Sequence, residues 1–336
     1  MLFLAIESSC DETSAAVFDL ERRVLSNVVA SQNELHARFG GVVPEIASRA
    51  HLRNILPVID ESLRQAGVTL ADIGCIAVNN TPGLVGALLV GVTAAKSLSL
   101  ALGIPLISVN HVAAHIYACR MAVGRDIFPC LGFVVSGGHT AMFDCPSPTI
   151  MTLLGSTRDD AAGEAFDKVA AILGLGFPGG PALEREATLG EPKAYDFPRS
   201  FIKEPRLEFS FSGLKTAVLY AAYGQNAGST RPPLDPQKRA NLAASFQAAV
   251  VDVLVAKCEQ AMTQYGHTRL AVGGGVIANQ RIRRGLEAMV ARRGAELFIP
   301  PMNWCTDNAA MAALAVEKWH LGDFAPPELD AEQNFL

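Results

Sequence analysis

The sequence has little of what marks secreted, membrane or strongly nucleic-acid-binding proteins. Its seven cysteines are scattered over 336 residues and never spaced as Cys-x-x-Cys, which argues against a disulfide framework and against a thiolate zinc site. Charged residues make up only 18% and the formal net charge is −5, so composition gives no general attraction to nucleic acid or to an anionic membrane. We therefore expect a reducing, cytoplasmic setting, and any RNA must bind a local patch or a partner.

Export signals and membrane spans are equally scarce. The N-terminus opens into an apolar strand with Glu7 and Asp11 close behind, which does not fit a signal peptide. The longest apolar stretch, residues 84–109, is rich in Gly, Ala and Ser and contains Lys96. This composition favours a buried small-residue helix over a membrane span. Half of the residues are hydrophobic, and the length favours two lobes with cores of their own.

Two distant segments share one pattern. Residues 4–18 and 131–143 each predict a strand, a polar turn and a second strand, and Ser9 and Thr13 correspond to Ser136 and Thr140 at one offset. The backbone N–H groups and hydroxyls of such turns can hold a phosphate, and two such hairpins occur in actin-like ATPases. Because a single Ser/Gly turn usually only connects strands, the prediction of a nucleotide-binding fold depends on the pair.

The first lobe continues with an alternation of strands and helices. Residues 44–67 and 83–102 have helical patterns, and short strands are predicted at 75–78 and 106–109. This βα alternation is typical of an α/β lobe.

The second lobe repeats the plan with more irregular segments. We predict a helix at 159–173 and a loop dense in Gly and Pro at 174–181. A polar excursion or insertion at 195–236 precedes a helix at 236–265. A last helix at 307–321 is predicted to cross back to the first lobe.

A run of glycines follows the predicted strand at 269–272. Gly273, Gly274 and Gly275 lead into Asn279 and a helix. Glycines at a strand-to-helix junction let the backbone approach a ligand closely, and a helix N-terminus favours an anion or a nucleotide edge. The motif is not Gly-x-Gly-x-x-Gly, so a dinucleotide fold is disfavoured.

A pair of histidines could hold a metal. His111 and His115 follow the strand at 106–109, with Asn110 predicted as the helix N-cap. Residues four apart on a helix point the same way, which suits a divalent ion, although this spacing also occurs by chance. The residue after the first histidine is Val112. A zinc protease needs a glutamate there as general base, so that mechanism is unsupported.

The third ligand is expected to be Asp307, at a predicted helix start beside a Thr306 cap. The alternative is that Asp307 only stabilises the helix dipole. Two histidines and one aspartate leave coordination positions open for substrate oxygens, a geometry for zinc or ferrous iron.

Together the motifs resemble one family, the bacterial TsaD family (also Gcp or YgjD), tRNA N6-adenosine threonylcarbamoyltransferases. The similar signatures run in order over almost the whole chain, at residues 7–13, 40–49, 82–88, 111–115, 136–140, 160–168, 177–181, 209–215, 273–279 and 305–308. Two positions depart from the family pattern, Ala113, where an acidic residue is common, and Thr81, where glycine is usual. Both histidines are kept, so the departures concern the surroundings of the metal.

The resemblance implies a fold and a lobe organisation. The fold is the α/β actin-like, sugar-kinase and Hsp70-type (ASKHA) fold, a duplicated βββαβαβα arrangement of two lobes with a nucleotide cleft between them. We expect an N-terminal lobe at 1–125 completed by residues 322–336, and a C-terminal lobe at 126–321 with an insertion at 195–236.

The resemblance also implies the roles of individual residues. One divalent metal, Fe²⁺ or Zn²⁺, is expected on His111, His115 and Asp307. The acidic pair Asp11 and Glu12 is expected to be catalytic, with turn stabilisation as the alternative. The contacts of the adenine nucleotide or threonylcarbamoyl-AMP are expected at Val134, Val135, Ser136, Gly137, Gly138, Asp167, Gly180, Glu184 and Asn279.

The implied reaction transfers the threonylcarbamoyl group of threonylcarbamoyl-AMP to N6 of the adenosine adjacent to the anticodon, in tRNAs that read codons beginning with adenine. AMP is released, and a separate synthase supplies the donor. The implied partners are the tRNA, a TsaB-like paralogue of the same fold and a small TsaE-like P-loop ATPase, with no membrane. An ASKHA kinase or ATPase, a metalloprotease and a nucleotide-gated scaffold are the alternatives.

The tRNA must bind local cations, because the chain is net acidic. One candidate group follows the glycine turn and comprises Arg281, Arg283, Arg284, Arg292 and Arg293. A second lies in the polar excursion and comprises Arg199, Lys203, Arg206 and Lys215. Either group could equally be a solvated surface.

Overall fold

The structure is a computed structural model that describes residues 1–225 and 232–333. The chain divides into two compact units. Unit 1 comprises Met1–Asp126, Ser147–Ile150 and the chain from Pro300 onward, and unit 2 comprises Ile127–Pro146 and Met151–Ile299.

Unit 1 contains a mixed five-stranded sheet. Its strands are β1 (Leu2–Glu7), β2 (Glu12–Asp19), β3 (Val24–Ser31), β4 (Ile73–Thr81) and β5 (Leu106–Asn110), in the order β3-β2-β1-β4-β5. The first three strands are antiparallel, and β4 and β5 run parallel to β1. Strands β1 and β2 are buried almost throughout, as their continuous apolar runs predict for strands covered on both faces.

Four helices of unit 1 follow in the chain. They are α1 (Asn33–Ala37), α2 (Pro44–Ala66), α3 (Val85–Leu102) and α4 (His111–Val123). Helix α2 begins at a proline in its first turn and ends at Gly67, whose φ of 68° is the left-handed conformation that glycine adopts most easily. Helices α2 and α3 lie against each other and against strands β2 and β4.

Unit 2 repeats the sheet plan. Its strands are β6 (Cys130–Val135), β7 (Thr140–Ser147), β8 (Ile150–Ser156), β9 (Arg269–Gly273) and β10 (Glu296–Phe298), in the order β8-β7-β6-β9-β10. As in unit 1, the first strand pairs antiparallel with the second and parallel with the fourth, which pairs parallel with the fifth. The predicted duplicated fold is therefore confirmed in its topology.

The helices of unit 2 include two that the sequence did not predict. They are α5 (Ala162–Leu173), α6 (Gly179–Ala187), α7 (Ser212–Tyr223), α8 (Pro236–Tyr265) and α9 (Gln280–Arg293). Helix α6 begins inside the predicted loop at 174–181, and α7 lies inside the predicted excursion at 195–236. Residues 226–231 of that excursion lie outside the described residues.

Among the described residues, helices α3 and α8 are long and apolar enough to cross a membrane, judged by length and composition alone. Helix α8 is mostly buried inside unit 2, whereas α3 is only partly covered. Helix α8 is therefore a core helix, whereas α3 has one exposed apolar side.

The chain returns to unit 1 at Pro300. The reason is that a 3-10 helix, Ala309–Leu314, contacts β1, β2 and α4 before helix α10 (Ala315–Leu321) begins. The predicted single helix at 307–321 was wrong, since it is a turn followed by these two shorter helices. The lobe boundaries themselves stay a prediction, and residues 334–336 of the expected completing segment lie outside the described residues.

Candidate functional site

Helix α4 positions the histidine pair in unit 1. The side chain of Asn110 accepts hydrogen bonds from the backbone N–H groups of Val112 and Ala113, which confirms the predicted cap and starts the helix at His111. The two imidazole rings stack edge to face with centroids 4.7 Å apart. Both side chains are buried, so the helical spacing has the predicted effect of pointing them the same way.

Asp307 faces both histidines, although not from the helix start that the sequence predicted. It lies in a turn two residues before the 3-10 helix, and the N–H of Ala309 donates to the Ser14 hydroxyl at 2.9 Å. The Thr306 cap was therefore wrong. One carboxylate oxygen of Asp307 lies 3.5 Å from Nε2 of His111 and 3.1 Å from Nε2 of His115.

These three side chains fit a divalent metal. Their ligand atoms all lie within 4.8 Å of one another. Ligands of one ion at zinc or ferrous bond lengths stand about 3.0–3.5 Å apart, which matches both distances to Asp307. Nε2 of His115 faces the Asp307 carboxylate. Nδ1 of the same ring is buried without a hydrogen-bond partner among the described residues.

A buried carboxylate that the sequence analysis missed stands behind His111. Oε2 of Glu7 lies 3.0 Å from Nδ1 of His111, and the Ser9 hydroxyl lies 3.0 Å from the same nitrogen. Since an ionised carboxylate can only accept, Nδ1 carries the proton and leaves the Nε2 lone pair for a metal. The backbone N–H of Ser9 and the amide of Asn79 also donate to Glu7.

Electrostatics hold Glu7 ionised. Burial raises the pKa of Glu7, but the His111 imidazole outweighs it and lowers that pKa below its usual value. Burial lowers the pKa of His111, while the carboxylates of Asp307 and Glu7 together raise it to about 9. A metal therefore replaces a proton on His111 when it binds near neutral pH. The motif around Glu7 was visible in the sequence, but its contact with α4 was not.

The acidic pair lies at the β1–β2 turn of the same unit. Glu12 is the first residue of β2 and accepts a hydrogen bond from Ser31 at 3.3 Å. Burial, then the neighbouring Asp11 and Asp307, raise the pKa of Glu12 well above its usual value. Such a carboxyl is a stronger base, once deprotonated, than an exposed glutamate.

In unit 2 the predicted phosphate turn joins β6 to β7. The hydroxyl of Ser136 accepts from the backbone N–H of His139 at 3.1 Å, while Gly137 and Gly138 are exposed. Gly163 of α5 donates to the Ser136 carbonyl at 3.2 Å, and a Cβ at Gly163 would come within 2.6 Å of that oxygen. Glycine at 163 thus lets α5 approach the turn.

The other residues predicted to contact the nucleotide link α5 to α6 and α6 to α9. Asp167 of α5 accepts from the N–H of Gly179 at 2.8 Å, which fixes the start of α6 beside Gly180. Glu184 of α6 accepts from the N–H of Gln280 at 2.7 Å. The structure thereby joins the turn, α5, α6 and α9 into one network in unit 2. Val134 and Val135 are buried in β6 behind it.

Asn279 has two structural partners. Its oxygen caps α9 by accepting from the N–H groups of Arg281 and Ile282. Its amide donates to Gln247 of α8 at 2.7 Å. Gln247 was not singled out from the sequence, because a glutamine inside a long helix carries no local signal.

Similar folds are found among solved structures. Over 96% of this chain, full-length HypF in its phosphate- and nucleotide-bound form is similar with a TM-score of 0.63 at 14% identity, covering 56% of that chain. Component A of (R)-2-hydroxyglutaryl-CoA dehydratase from Acidaminococcus fermentans is similar with a TM-score of 0.54 at 13% identity, over 95% of this chain and 98% of that one. The fold and the site together define an ASKHA-type protein with a His/His/Asp metal-site candidate.

Sequence relatives give the family. The model of TsaD, tRNA N6-adenosine threonylcarbamoyltransferase, matches residues 23–314. The enzyme of that name from Rhodopirellula baltica is 52% identical over 98% of this chain and 95% of its own, and the one from Geobacillus kaustophilus is 54% identical over 93% and 90%. The chain belongs to the TsaD family and is a tRNA N6-adenosine threonylcarbamoyltransferase. This membership decides against the kinase, protease and scaffold alternatives.

Proposed function

We propose that the chain transfers the threonylcarbamoyl group from threonylcarbamoyl-AMP to N6 of the adenosine adjacent to the anticodon, in tRNAs that read codons beginning with adenine. The N6 amine is a poor nucleophile because its lone pair is delocalised into the ring. The transfer therefore needs an activated carbonyl and a group that accepts the N6 proton. The carbamoyl–phosphate bond breaks, the new C–N bond forms, and AMP leaves with the bonding electrons.

His111, His115 and Asp307 would hold one divalent metal, Fe²⁺ or Zn²⁺. Such an ion, when bound, polarises a carbonyl oxygen and stabilises the negative charge that develops on it. Glu7 keeps His111 in the tautomer whose Nε2 faces Asp307, and Ser9 supports the same ring orientation. The observation that carries this proposal is the single Asp307 oxygen within 3.5 Å and 3.1 Å of the two Nε2 atoms.

The acidic pair supplies the proton acceptor. Glu12 is the stronger candidate, because burial and the charge of Asp11 raise its pKa. Asp11 lies in the same turn, and its charge raises the pKa of Glu12.

The network of unit 2 would hold the adenylate. Gly137 and Gly138 offer exposed backbone N–H groups without side chains, which suits a phosphate. Asp167 and Gly180 are proposed to contact the ribose, and Glu184 and Asn279 the nucleoside end.

Reconstituted transfer tests this function. The purified chain is incubated with labelled threonylcarbamoyl-AMP and an unmodified tRNA transcript, with and without added metal and partner proteins. Label in the tRNA that depends on metal supports the assignment. Equal transfer by metal-stripped and metal-loaded protein, at verified metal contents, would overturn the metal's role.

A paralogue of the same fold is proposed to cover the exposed face of α2 and α3. Leu52 and Leu56 of α2 are 66% and 68% exposed, and Leu89 and Leu100 of α3 are 42% and 86% exposed. Leu52, Leu56 and Leu89 border a groove of about 690 Å³. A partner of the same fold would present its own pair of helices, and two helix pairs pack as a four-helix bundle.

Substitution of that face tests the partner. Leu56→Asp with Leu89→Asp should prevent co-elution with the TsaB-like paralogue, while Leu189→Asp, at an equally exposed leucine of unit 2, should not. If the chain self-associates through this face and the double variant abolishes the association, the occupant is a second copy of the chain. If the chain binds lipid vesicles and the double variant abolishes the binding, the occupant is a lipid surface. We also propose that a small P-loop ATPase is a second partner and that a separate synthase supplies threonylcarbamoyl-AMP. The proposed location is the cytoplasm.

A further inference from the structure

A buried histidine of α2, which neither the metal site nor the proposed nucleotide contacts use, lies against the β1–β2 turn. The side chain of His51 is fully buried. Its Nε2 lies 3.0 Å from the carbonyl oxygen of Cys10, and its Nδ1 lies 2.8 Å from the Thr13 hydroxyl. A carbonyl oxygen can only accept, so Nε2 donates to it and Nδ1 accepts from Thr13. Burial lowers the pKa of His51, which favours the neutral ring that this arrangement requires.

The two contacts of His51 stand on either side of the acidic pair, Asp11 and Glu12. Three successive carbonyl oxygens of this turn accept hydrogen bonds from three different segments of unit 1, which are Ser9 from the N–H of Leu84 at 2.8 Å, Cys10 from His51 at 3.0 Å and Asp11 from the N–H of Gln32 at 3.0 Å. The first and third donors belong to the backbone. The second is a side chain that also holds Thr13, so one imidazole spans the acidic pair.

His51 and the carboxylate of Glu12 lie on opposite faces of the sheet. Successive side chains of a strand point to opposite faces, so Thr13 points toward α2, whereas Glu12 and Ser14 point the other way. On that other face the Ser14 hydroxyl accepts from the N–H of Ala309, beside the metal-site candidate. His51 therefore acts on Glu12 through the backbone and does not contact a substrate held at its carboxylate.

We propose that His51 is a positioning residue for the transfer, which fixes the backbone on both sides of the acidic pair so that the Glu12 carboxylate meets the N6 proton. A general base must stand within hydrogen-bond distance of the proton that it takes. A misplacement of about 1 Å can lower the rate about a hundredfold. A neutral imidazole suits this place, because it donates at one edge and accepts at the other. The inference rests on the proposed role of Glu12 as proton acceptor.

Three variants and one control separate positioning from packing. Thr13→Val removes the hydroxyl but keeps the shape of the side chain, Thr13→Ser keeps the hydroxyl, and His51→Leu removes both contacts. Ser62→Ala is the matched control. The buried Ser62 hydroxyl also joins α2 to the sheet, at 2.8 Å from the Ser26 hydroxyl of β3, but about three helical turns away from His51. The reconstituted system at saturating metal gives kcat and KM, and competition with a chelator gives metal affinity.

Thr13→Val and His51→Leu should lower kcat about ten- to a hundredfold, while KM for threonylcarbamoyl-AMP and metal affinity stay at wild-type values. Thr13→Ser should restore most of kcat. Ser62→Ala should melt at a lower temperature but keep the wild-type kcat. In a Glu12→Gln background, Thr13→Val should lower transfer no further, because its effect passes through Glu12.

Full kcat in Thr13→Val overturns the inference, and this variant decides if His51→Leu does not fold. An equal loss of kcat in Ser62→Ala also overturns it, since the loss would then follow from packing alone. So does a full additional loss from Thr13→Val in the Glu12→Gln background. Wild-type transfer by Glu12→Gln itself would instead contradict the proposed proton acceptor, which keeps the two failures apart.

Discussion

The β1–β2 turn of unit 1 and the β6–β7 turn of unit 2 have the same place in the same topology but opposite contents. In unit 1, the carboxylate of Glu7 and the hydroxyl of Ser9 hold the ring of His111. In unit 2, Gly137 and Gly138 leave exposed backbone, and a Cβ at either position would meet no atom within 4 Å. The first turn is filled with acidic and hydroxyl groups, and the second is open.

The difference indicates how a duplicated hairpin serves two kinds of ligand. Buried carboxylates behind an imidazole raise its basicity and suit a cation. Bare N–H groups carry partial positive charge and suit an anion. One hairpin plan therefore supports the metal candidate in unit 1 and the proposed adenylate contacts in unit 2, because only the side chains of the turn differ.

The largest expected effect comes from removing the metal ligands of unit 1. His111→Ala, His115→Ala and Asp307→Ala should each reduce bound metal from about one ion per chain to near zero, and transfer should fall at least about a hundredfold. Far-ultraviolet circular dichroism should stay unchanged, since open-site ligands contribute more to chemistry than to packing. His320→Ala, at an exposed histidine of α10, is the control. Normal metal content in all three variants would refute the site.

The acidic pair should give unit 1 a pH dependence. A base must be deprotonated, so transfer should rise with pH through the raised pKa of Glu12 and then level off. Glu12→Gln should lower kcat by about a hundred- to ten-thousandfold and remove that rise. Asp11→Asn removes a like charge and should move the rise to lower pH. A rise that survives in Glu12→Gln at saturating metal would exclude Glu12 as the base.

A smaller effect is expected from the carboxylate behind His111. Glu7→Gln should weaken metal binding about ten- to a hundredfold, as measured by competition with a chelator. The amide would also oppose the donors Ser9 and Asn79, so some loss of stability is expected. Asp19→Asn, at another buried carboxylate of the same hairpin, should leave metal affinity unchanged. Equal affinities of wild type and Glu7→Gln would separate Glu7 from the metal.

A side chain added at Gly137, in the open β6–β7 turn of unit 2, should weaken AMP binding. AMP at about a hundred times its Kd should stabilise the wild-type chain by about 2.7 kcal/mol. Gly137→Val should remove this gain and Gly137→Ala should reduce it, while the melting temperature without AMP stays the same because the site has room for a Cβ. A full AMP shift in Gly137→Val would mean that the nucleotide binds elsewhere.

The smallest effect separates the two roles of Asn279. Asn279→Ala should lose about 1 kcal/mol of stability through the missing helix cap, whereas Asn279→Ser keeps a capping oxygen and most of that stability. Both should lose the AMP shift if the amide contacts the nucleotide. Denaturant unfolding with and without AMP measures both quantities, and a full shift in Asn279→Ser would leave Asn279 with the capping role alone.

Local patterns were sufficient for much of the fold and for part of the site. Strand and helix periods predicted the two hairpins, the βα alternation and α8, and the cap at Asn110 predicted where α4 begins. The four-residue spacing put His111 and His115 on one side of that helix. Local patterns were not sufficient for α6 and α7, where glycines, prolines and polar residues hid short helices that depend on contacts with α5 and α8.

The sequence by itself determined the order of elements, the helical face shared by the two histidines and the family signatures, because these depend on residues close together in the chain. Only the tertiary structure decided that Glu7 supports His111, that Asp307 approaches both rings from a turn, and that Gln247 holds Asn279. Those contacts join residues far apart in sequence, and their energies depend on distance and burial, which a local pattern does not encode.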